Sequence, residues 1–255
     1  MMRFILKPFQ FLYVIYAVSL FVVLMIPVFI WAIISSFFGR IRGGNMIYHA
    51  CIAWADTWCF LTGIRHQNIY LSKYDPSHSC IFVSNHISYL DSAIVPKTLR
   101  HPVRPLGKIE MSKIPIFGLI YKNVIVAVDR SSAQHRAESV RLMKLMLNKG
   151  ISILVFPEGT FNTTHQPLKH FYDGAFRIAI ETGTPIRPFL LLDTYDRLHY
   201  RSIFTLNPGK SRSVFLEEVS TQGLNSNDVA ELREKVFRLM EEALIHYKAS
   251  WANQV

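Results

Sequence analysis

The run Ser84-Asn85-His86-Ile87-Ser88-Tyr89-Leu90-Asp91 puts an imidazole and a carboxylate five positions apart. Side chains meet on a regular helix at three or four positions, so this pair needs a turn opening into a helix to bring it together. Asp91 would then accept the Nδ1 proton of His86 and leave Nε2 free to take a proton from an alcohol. The carboxylate would fix the tautomer and steady the developing imidazolium. A neutral alcohol is a poor nucleophile, and such general-base assistance is commonly worth about 10²–10⁴-fold. The plainer reading of a lone His/Asp pair is a structural hydrogen bond, and spacing alone leaves both open. No GxSxG elbow is present, so Ser88 reads as a turn or capping hydroxyl rather than a nucleophile.

A second polar cluster is Phe156-Pro157-Glu158-Gly159-Thr160. The preceding apolar run delivers Glu158 at its end, where it can bind hydroxyls or order a basic neighbour. Gly159 permits close backbone approach. Gly107-Lys108 and Asp129-Arg130 offer cations to a phosphate, with a solvated surface role equally open for each. Cys51, Cys59 and Cys80 form no CxxC pair, which favours a reducing compartment and gives no metal-ligand spacing. Asn162-Thr163-Thr164 formally matches a glycosylation sequon.

The elements that must hold these groups alternate brief β-branched runs with helical stretches beyond Gly63. Cys80 to Val83 reads as a buried strand leading directly into the His86 segment, and Val124 to Val128 as another. Ser131 and Gln134 suggest a capping box for a helix with Ala137, Val140, Met143 and Leu147 on its apolar face, ended by Gly150. Ile151 to Phe156 is the clearest strand and Pro157 stops it. Phe171 to Glu181 reads as a helix, Ile186 to Leu192 as a strand and Val214 to Leu216 as a short strand. A last helix spans about Asp228 to Tyr247, with Asp228 and Glu231 as a capping pair and Val229, Leu232, Val236, Leu239 and Ala243 as its buried stripe. This order predicts an α/β fold, a mixed or mainly parallel sheet flanked by helices. Loops at the carboxyl ends of its strands are favoured places for chemistry.

Ahead of that domain, Phe11 to Phe38 carries no charged side chain, longer than the roughly 20 residues a helix needs to cross a bilayer. Pro27 sits within the run, leaving one kinked span or two shorter helices that dip into a leaflet and return, with a wholly buried core helix as the plainer alternative. Met46 to Leu61 contains His49 and Asp56 and reads as an interfacial or core-packing helix. Residues 1–62 are thus expected to form an N-terminal hydrophobic helical membrane-binding motif and residues 63–255 the α/β domain. The 255-residue chain has a formal net charge of +10. With an apolar anchor present, that charge points to an anionic membrane surface or a phosphorylated lipid. The basic residues are scattered without a recognition helix or zinc-finger spacing, so no nucleic acid partner is expected.

Taken in order, Asn85-His86-Ile87-Ser88-Tyr89-Leu90-Asp91 (an NHxSxxD block), Gly107-Lys108, Pro115-Ile116-Phe117-Gly118 and Val128-Asp129-Arg130 resemble the glycerolipid acyltransferase family that includes 1-acyl-glycerol-3-phosphate acyltransferases. Phe156-Pro157-Glu158-Gly159-Thr160, Phe171-Tyr172-Asp173-Gly174-Ala175 and Pro185-Ile186-Arg187-Pro188 continue the resemblance, which covers roughly residues 80 to 192. It implies that His86 is the base, Asp91 orients it, and Glu158 with Gly159 and Thr160 belongs to an acceptor-binding loop. It also implies an acyl-CoA or acyl-acyl-carrier-protein donor, a lysolipid acceptor that is usually lysophosphatidic acid, phosphatidic acid as product, and neither metal nor tightly held cofactor. The expected location is a bacterial inner membrane with the catalytic domain on the cytoplasmic side.

Three positions depart from the family pattern. Phe161 stands where EGTR is common and cannot give the bidentate hydrogen bonds of Arg. Asn123 takes the place of a frequent Gly, and Arg187 that of an apolar residue. Lys108, Arg130 or Lys169 would then supply the phosphate-binding charge, or the acceptor is a lyso-ornithine lipid, a lyso-glycine lipid or another lysophospholipid.

Overall fold

The computed structural model describes residues 2–73, 75–128 and 132–253. The apolar amino terminus forms one uninterrupted helix, α1 (Met2–Ser36), running through Pro8 and Pro27. Burial of Ala17, Met25, Val28 and Ala32 against the neighbouring helix α2 (Gly39–Leu61) outweighs the backbone bond lost at Pro27. Gly43 makes the close approach possible, since a Cβ there would lie 2.1 Å from the Ser35 carbonyl oxygen. Trp54 and Trp58 are core residues, T-stacked on Phe21, whereas Trp31 remains 41% exposed.

From the turn at Thr62-Gly63 the chain enters β1 (Ile64–Tyr70), then β2 (Ile81–Ser84), α3 (Leu90–Thr98) and β3 (Val103–Lys108). There follow α4 (Phe117–Val124), β4 (Val126–Val128), α5 (Ala133–Asn148), β5 (Ser152–Val155), α6 (Gly174–Thr182) and β6 (Ile186–Leu191). The chain ends through α7 (Thr194–Arg197), β7 (Gly209–Phe215) and α8 (Val229–His246). Among the described residues the seven strands form one sheet in the order β1-β7-β6-β2-β5-β3-β4. Neighbours are parallel except β6 and β7, which run antiparallel. The fold is therefore α/β with a mixed, mostly parallel sheet, as the order of apolar runs predicts.

Alternation along the central strands sends Ile81, Val83, Ile153 and Val155 to one face, where Met143 of α5, Phe176 of α6 and Val236 of α8 cover them. Phe82, Leu154 and Phe189 point to the other face, beneath α1, α2, α3 and α4. The amino-terminal hairpin thus shares a core with the sheet. Because β2, β5 and β3 are parallel, the loops after Ser84, Val155 and Lys108 all leave from one edge.

Several local expectations are corrected. Two strands are not assigned from the sequence at all. Edge strand β1 pairs only with β7 and carries polar residues outward, and β3 contains Arg104 and Pro105, so neither shows an apolar run. β7 begins at Gly209 rather than Val214, hidden by Lys210, Ser211 and Arg212. Val124 ends α4 instead of opening β4. Helix α6 starts three residues later than expected because Tyr172 N–H donates to the Pro157 carbonyl at 2.9 Å. Ser132 caps α5 by accepting from His135 N–H at 3.1 Å, while Ser131 lies outside the described residues. Asn225 and Asp228 form the capping box preceding α8, whose buried stripe is Val229, Leu232, Val236, Met240 and Leu244.

Candidate active site

His86 lies in the loop between β2 and α3, and Asp91 in the first turn of α3. The loop has no periodic hydrogen bonding of its own, so side chains hold it. Asp91, fully buried, accepts with Oδ2 from the backbone N–H groups of Ile87 at 2.8 Å and Ser88 at 2.9 Å. The same oxygen meets His86 Nδ1 at 2.8 Å. Three donors converging on one oxygen bend the five-residue spacing into contact, and a carboxylate so placed selects the tautomer with its proton on Nδ1. Nε2 then faces away from Asp91 with its lone pair available.

The Ser88 hydroxyl is fully buried, donates to the Leu198 carbonyl at 2.5 Å and accepts from Leu90 N–H at 3.0 Å. It is the turn and capping hydroxyl that the sequence suggests. Asn85 bridges to β6 by donating to the Leu191 carbonyl at 3.0 Å and accepting from Leu191 N–H at 2.8 Å.

The turn after β5 grips His86 from the other side. Glu158 is completely buried; Oε1 accepts from His86 N–H at 2.9 Å and Oε2 from Lys169 N–H at 3.0 Å. Two residues past Thr160, Asn162 N–H donates to the His86 carbonyl at 2.8 Å. Both backbone polar groups of His86 are thus tied to residues 158–162. Of the two possibilities open for Glu158, the geometry shows ordering: each oxygen accepts one backbone N–H, and the side chain is fully buried. Burial raises the Glu158 carboxyl from its ordinary 4.5 to about 7, opposed by the two backbone N–H donors and by the Lys169 charge. Gly159 has φ of 72°, the left-handed conformation that suits glycine in this tight turn. The sequon asparagine is buried and its side chain donates to the Gln166 carbonyl at 2.9 Å.

Of the candidate cations, Lys169 is drawn into the site, its ammonium donating to the Thr160 hydroxyl at 2.8 Å. Lys108 ends β3 on the same sheet edge, with its side chain exposed and its carbonyl accepting from the Tyr121 hydroxyl at 2.8 Å. Arg130 and Asp129 lie outside the described residues. Arg187 is buried on β6 and donates to the carbonyls of Lys73 and Ser72, at the opposite end of the strands from His86.

Sequence reasoning missed an aromatic slot around the imidazole. Phe156 stacks on His86 with ring centroids 4.3 Å apart and planes at 20°. Phe161 also stands 4.3 Å from it, tilted 60°, and meets Tyr89 edge-on at 4.7 Å. The available signal was Phe161 itself, visible as a departure from EGTR. Among the described residues no group of three or more His, Cys, Asp and Glu could hold a metal ion. The arrangement is an imidazole with one nitrogen anchored by a buried carboxylate, held in an apolar slot next to the loop that also carries Lys169 and Thr160: a geometry that could remove a proton from an alcohol.

The sequence profile of the family described as Acyltransferase matches residues 64–191. An uncharacterised acyltransferase of Schizosaccharomyces pombe is 29% identical over 173 residues, covering 66% of this chain and 61% of that protein. The 1-acyl-sn-glycerol-3-phosphate acyltransferase alpha of Mus musculus is 29% identical over 182 residues, covering 69% of this chain and 62% of that protein. The matched stretches therefore span less than two thirds of both relatives. Among solved structures, the crystal structure of the 1-acyl-sn-glycerophosphate (LPA) acyltransferase from Thermotoga maritima superposes with a TM-score of 0.75 at 22% identity. It covers 96% of this chain and 98% of that one. That likeness concerns the fold.

Proposed function

The chain belongs to the acyltransferase family, and on that premise we propose that it moves a fatty acyl group from an acyl thioester to the free hydroxyl of 1-acyl-glycerol-3-phosphate, yielding phosphatidic acid. The single observation that carries this reading is the His86 Nδ1 to Asp91 Oδ2 contact of 2.8 Å, which leaves Nε2 as a base. Nε2 takes the hydroxyl proton as the oxygen attacks the thioester carbonyl carbon. The new C–O bond forms, the C–S bond breaks, and His86 returns the proton to the departing thiolate. The thioester is already activated, so no covalent acyl-enzyme is required. Acyl-CoA and acyl-acyl-carrier protein both meet that need, and the chemistry calls for no metal or resident cofactor. Lys169, presented by Thr160 and fixed to His86 through Glu158, is the cation for the acceptor phosphate; Lys108 and Arg130 are its partners in this reading.

A second acceptor is favoured by one observation. Phe161, not a guanidinium, lies 4.3 Å from the imidazole, which suits a lyso-ornithine or lyso-glycine lipid or another lysophospholipid lacking a terminal phosphate. A panel of lysolipids with labelled donor separates the two. Acylation of lysophosphatidic acid, reduced by about 10²–10⁴-fold in His86→Ala, is expected. Acylation of a lyso-aminolipid alone would replace the first acceptor, and near-normal turnover by His86→Ala would remove the base.

Membrane attachment follows from α1. Pro8–Ser36 is long and apolar enough to cross a bilayer, yet both ends are tied to the same folded domain. Near one end Gln10 donates to the Leu206 carbonyl and the Tyr13 hydroxyl to that of Thr62 at 2.8 Å. Near the other, Trp31 donates to the Met46 carbonyl of α2 at 3.3 Å, and α2 itself packs on α3, α4 and β1 of the α/β domain. The 35 residues make a rod of roughly 52 Å at about 1.5 Å each. A spanning rod would drag the domain into the hydrocarbon, so α1 lies within one leaflet, parallel to the surface. An anionic surface, as on the cytoplasmic side of a bacterial inner membrane, suits the net charge of +10.

A further inference from the structure

Between β3 and α4 the chain makes a 3-10 turn over Ile109–Lys113, followed by Ile114, Pro115 and Ile116. Met111, Ile114 and Ile116 are 40%, 43% and 47% exposed, large apolar side chains gathered on one short segment. Ile116 adopts φ 66° and ψ −61°, and Phe117 N–H donates to the Pro115 carbonyl at 2.7 Å. These are the angles and hydrogen bond of a γ-turn of the rare, strained kind, here carried by a β-branched residue, for which positive φ is an outlier. Burial cannot explain the strain, because the side chain points to solvent. Gly118 locks the turn in place, since a Cβ there would stand 2.3 Å from the Ser112 carbonyl oxygen.

The segment leaves the sheet at the end of β3, beside β5 and on the edge from which the His86 and Glu158 loops also leave. Lys108 and Lys113 are exposed at its two ends, with Glu110 as the one acid between them. It opens α4, which packs against both α1 and α2, and so joins the apolar surface of the amino-terminal hairpin. Exposed aliphatic side chains between lysines are suited to the boundary between headgroups and acyl chains of an anionic leaflet.

We propose that Met111, Ile114 and Ile116 form an apolar knuckle that enters an anionic phospholipid leaflet beside the His86 site, a second membrane contact through which the lipid acceptor reaches the base without crossing water. The strained turn at Ile116 is what holds the knuckle out. This rests on α1 being seated in the same leaflet.

Ile116→Gly tests it with the full chain, because glycine relieves the turn and removes the prong together. The expected variant melts at a higher temperature than the parent. It keeps its turnover of a short-chain lysolipid dissolved below micelle formation, and loses about tenfold or more on the same lysolipid class embedded in vesicles. Its co-sedimentation with vesicles of equal parts phosphatidylglycerol and phosphatidylcholine should weaken in parallel, as should that of Ile114→Asp. The co-sedimentation needs no substrate, so it judges the knuckle even if the acceptor assignment fails. Equal loss on dissolved and embedded acceptor would make the segment merely structural and overturn the proposal. Unchanged sedimentation would also overturn it, as would a parent dimer that Ile116→Gly makes monomeric, since a second copy would then cover the knuckle.

Discussion

Both oxygens of the Glu158 carboxylate are engaged by backbone N–H groups, one of them on the residue that supplies the imidazole. A glutamine can reproduce one acceptance but must turn its NH₂ toward the other N–H, leaving a buried donor unsatisfied at about 1–3 kcal/mol. Glu158→Gln is therefore expected to loosen the His86 loop and lower turnover. The pH dependence has a definite sign. Burial lifts the folded carboxyl to about 7 from an ordinary 4.5, so between those values the folded state binds more protons than the unfolded one. The contribution of Glu158 to stability is full below about pH 4.5 and declines as pH rises to about 7. Urea midpoints should show the advantage of the parent over Glu158→Gln shrinking across that interval. A constant gap would mean that the carboxyl is not raised.

At the scale of elements, the crossing of α1 and α2 depends on backbone contact at Gly43, where a methyl group would have to displace a carbonyl oxygen 2.1 Å away. Gly43→Ala should cost about 1–3 kcal/mol as overpacking, read as a lower thermal midpoint. Gly174 opens α6 with nothing within 4 Å of its added Cβ and no positive φ. Gly174→Ala should leave stability unchanged or raise it by about 0.4–1 kcal/mol through the unfolded state. If the two variants melted alike, helix contact at Gly43 would not be the determinant. The same crossing holds Arg104, 2% exposed, whose guanidinium donates to the Ile41 carbonyl at 3.2 Å and Asn45 Oδ1 at 2.7 Å. Burial lowers it to about 10, and it ties the start of α2 to β3.

Across the whole molecule, one side of α1 is buried against α2 and the sheet while Val22, Val23, Ile26, Ile30, Ile33 and Ile34 stay 42–58% exposed. A stripe this long on a helix fastened at both ends is a surface for lipid. The double variant Val23→Asp with Ile30→Asp changes only that outer side, so it should leave the fold intact by circular dichroism yet shift the protein from vesicle pellet to supernatant. Added salt should weaken binding of the parent further, because exposed cations are screened over about 10 Å at 0.1 M. Retention of the variant on vesicles at high salt would place the anchor elsewhere.

The pairing of His86 with Asp91, the Glu158 turn, the α/β class and the apolar amino terminus were legible in the residues themselves. They rest on local order: which side chains follow which, and how often apolar ones recur. Strands β1 and β3 were not legible, because their stability comes from partners distant in sequence, and polar residues such as His66 and Arg104 fit once those partners exist. The sequence also left open which groups the Glu158 carboxylate holds, and how α1 sits against the rest of the fold. Those answers depend on which amide reaches which oxygen and on where both ends of a helix are fastened. They are distances between parts far apart in the chain, and only the folded arrangement brings them into being.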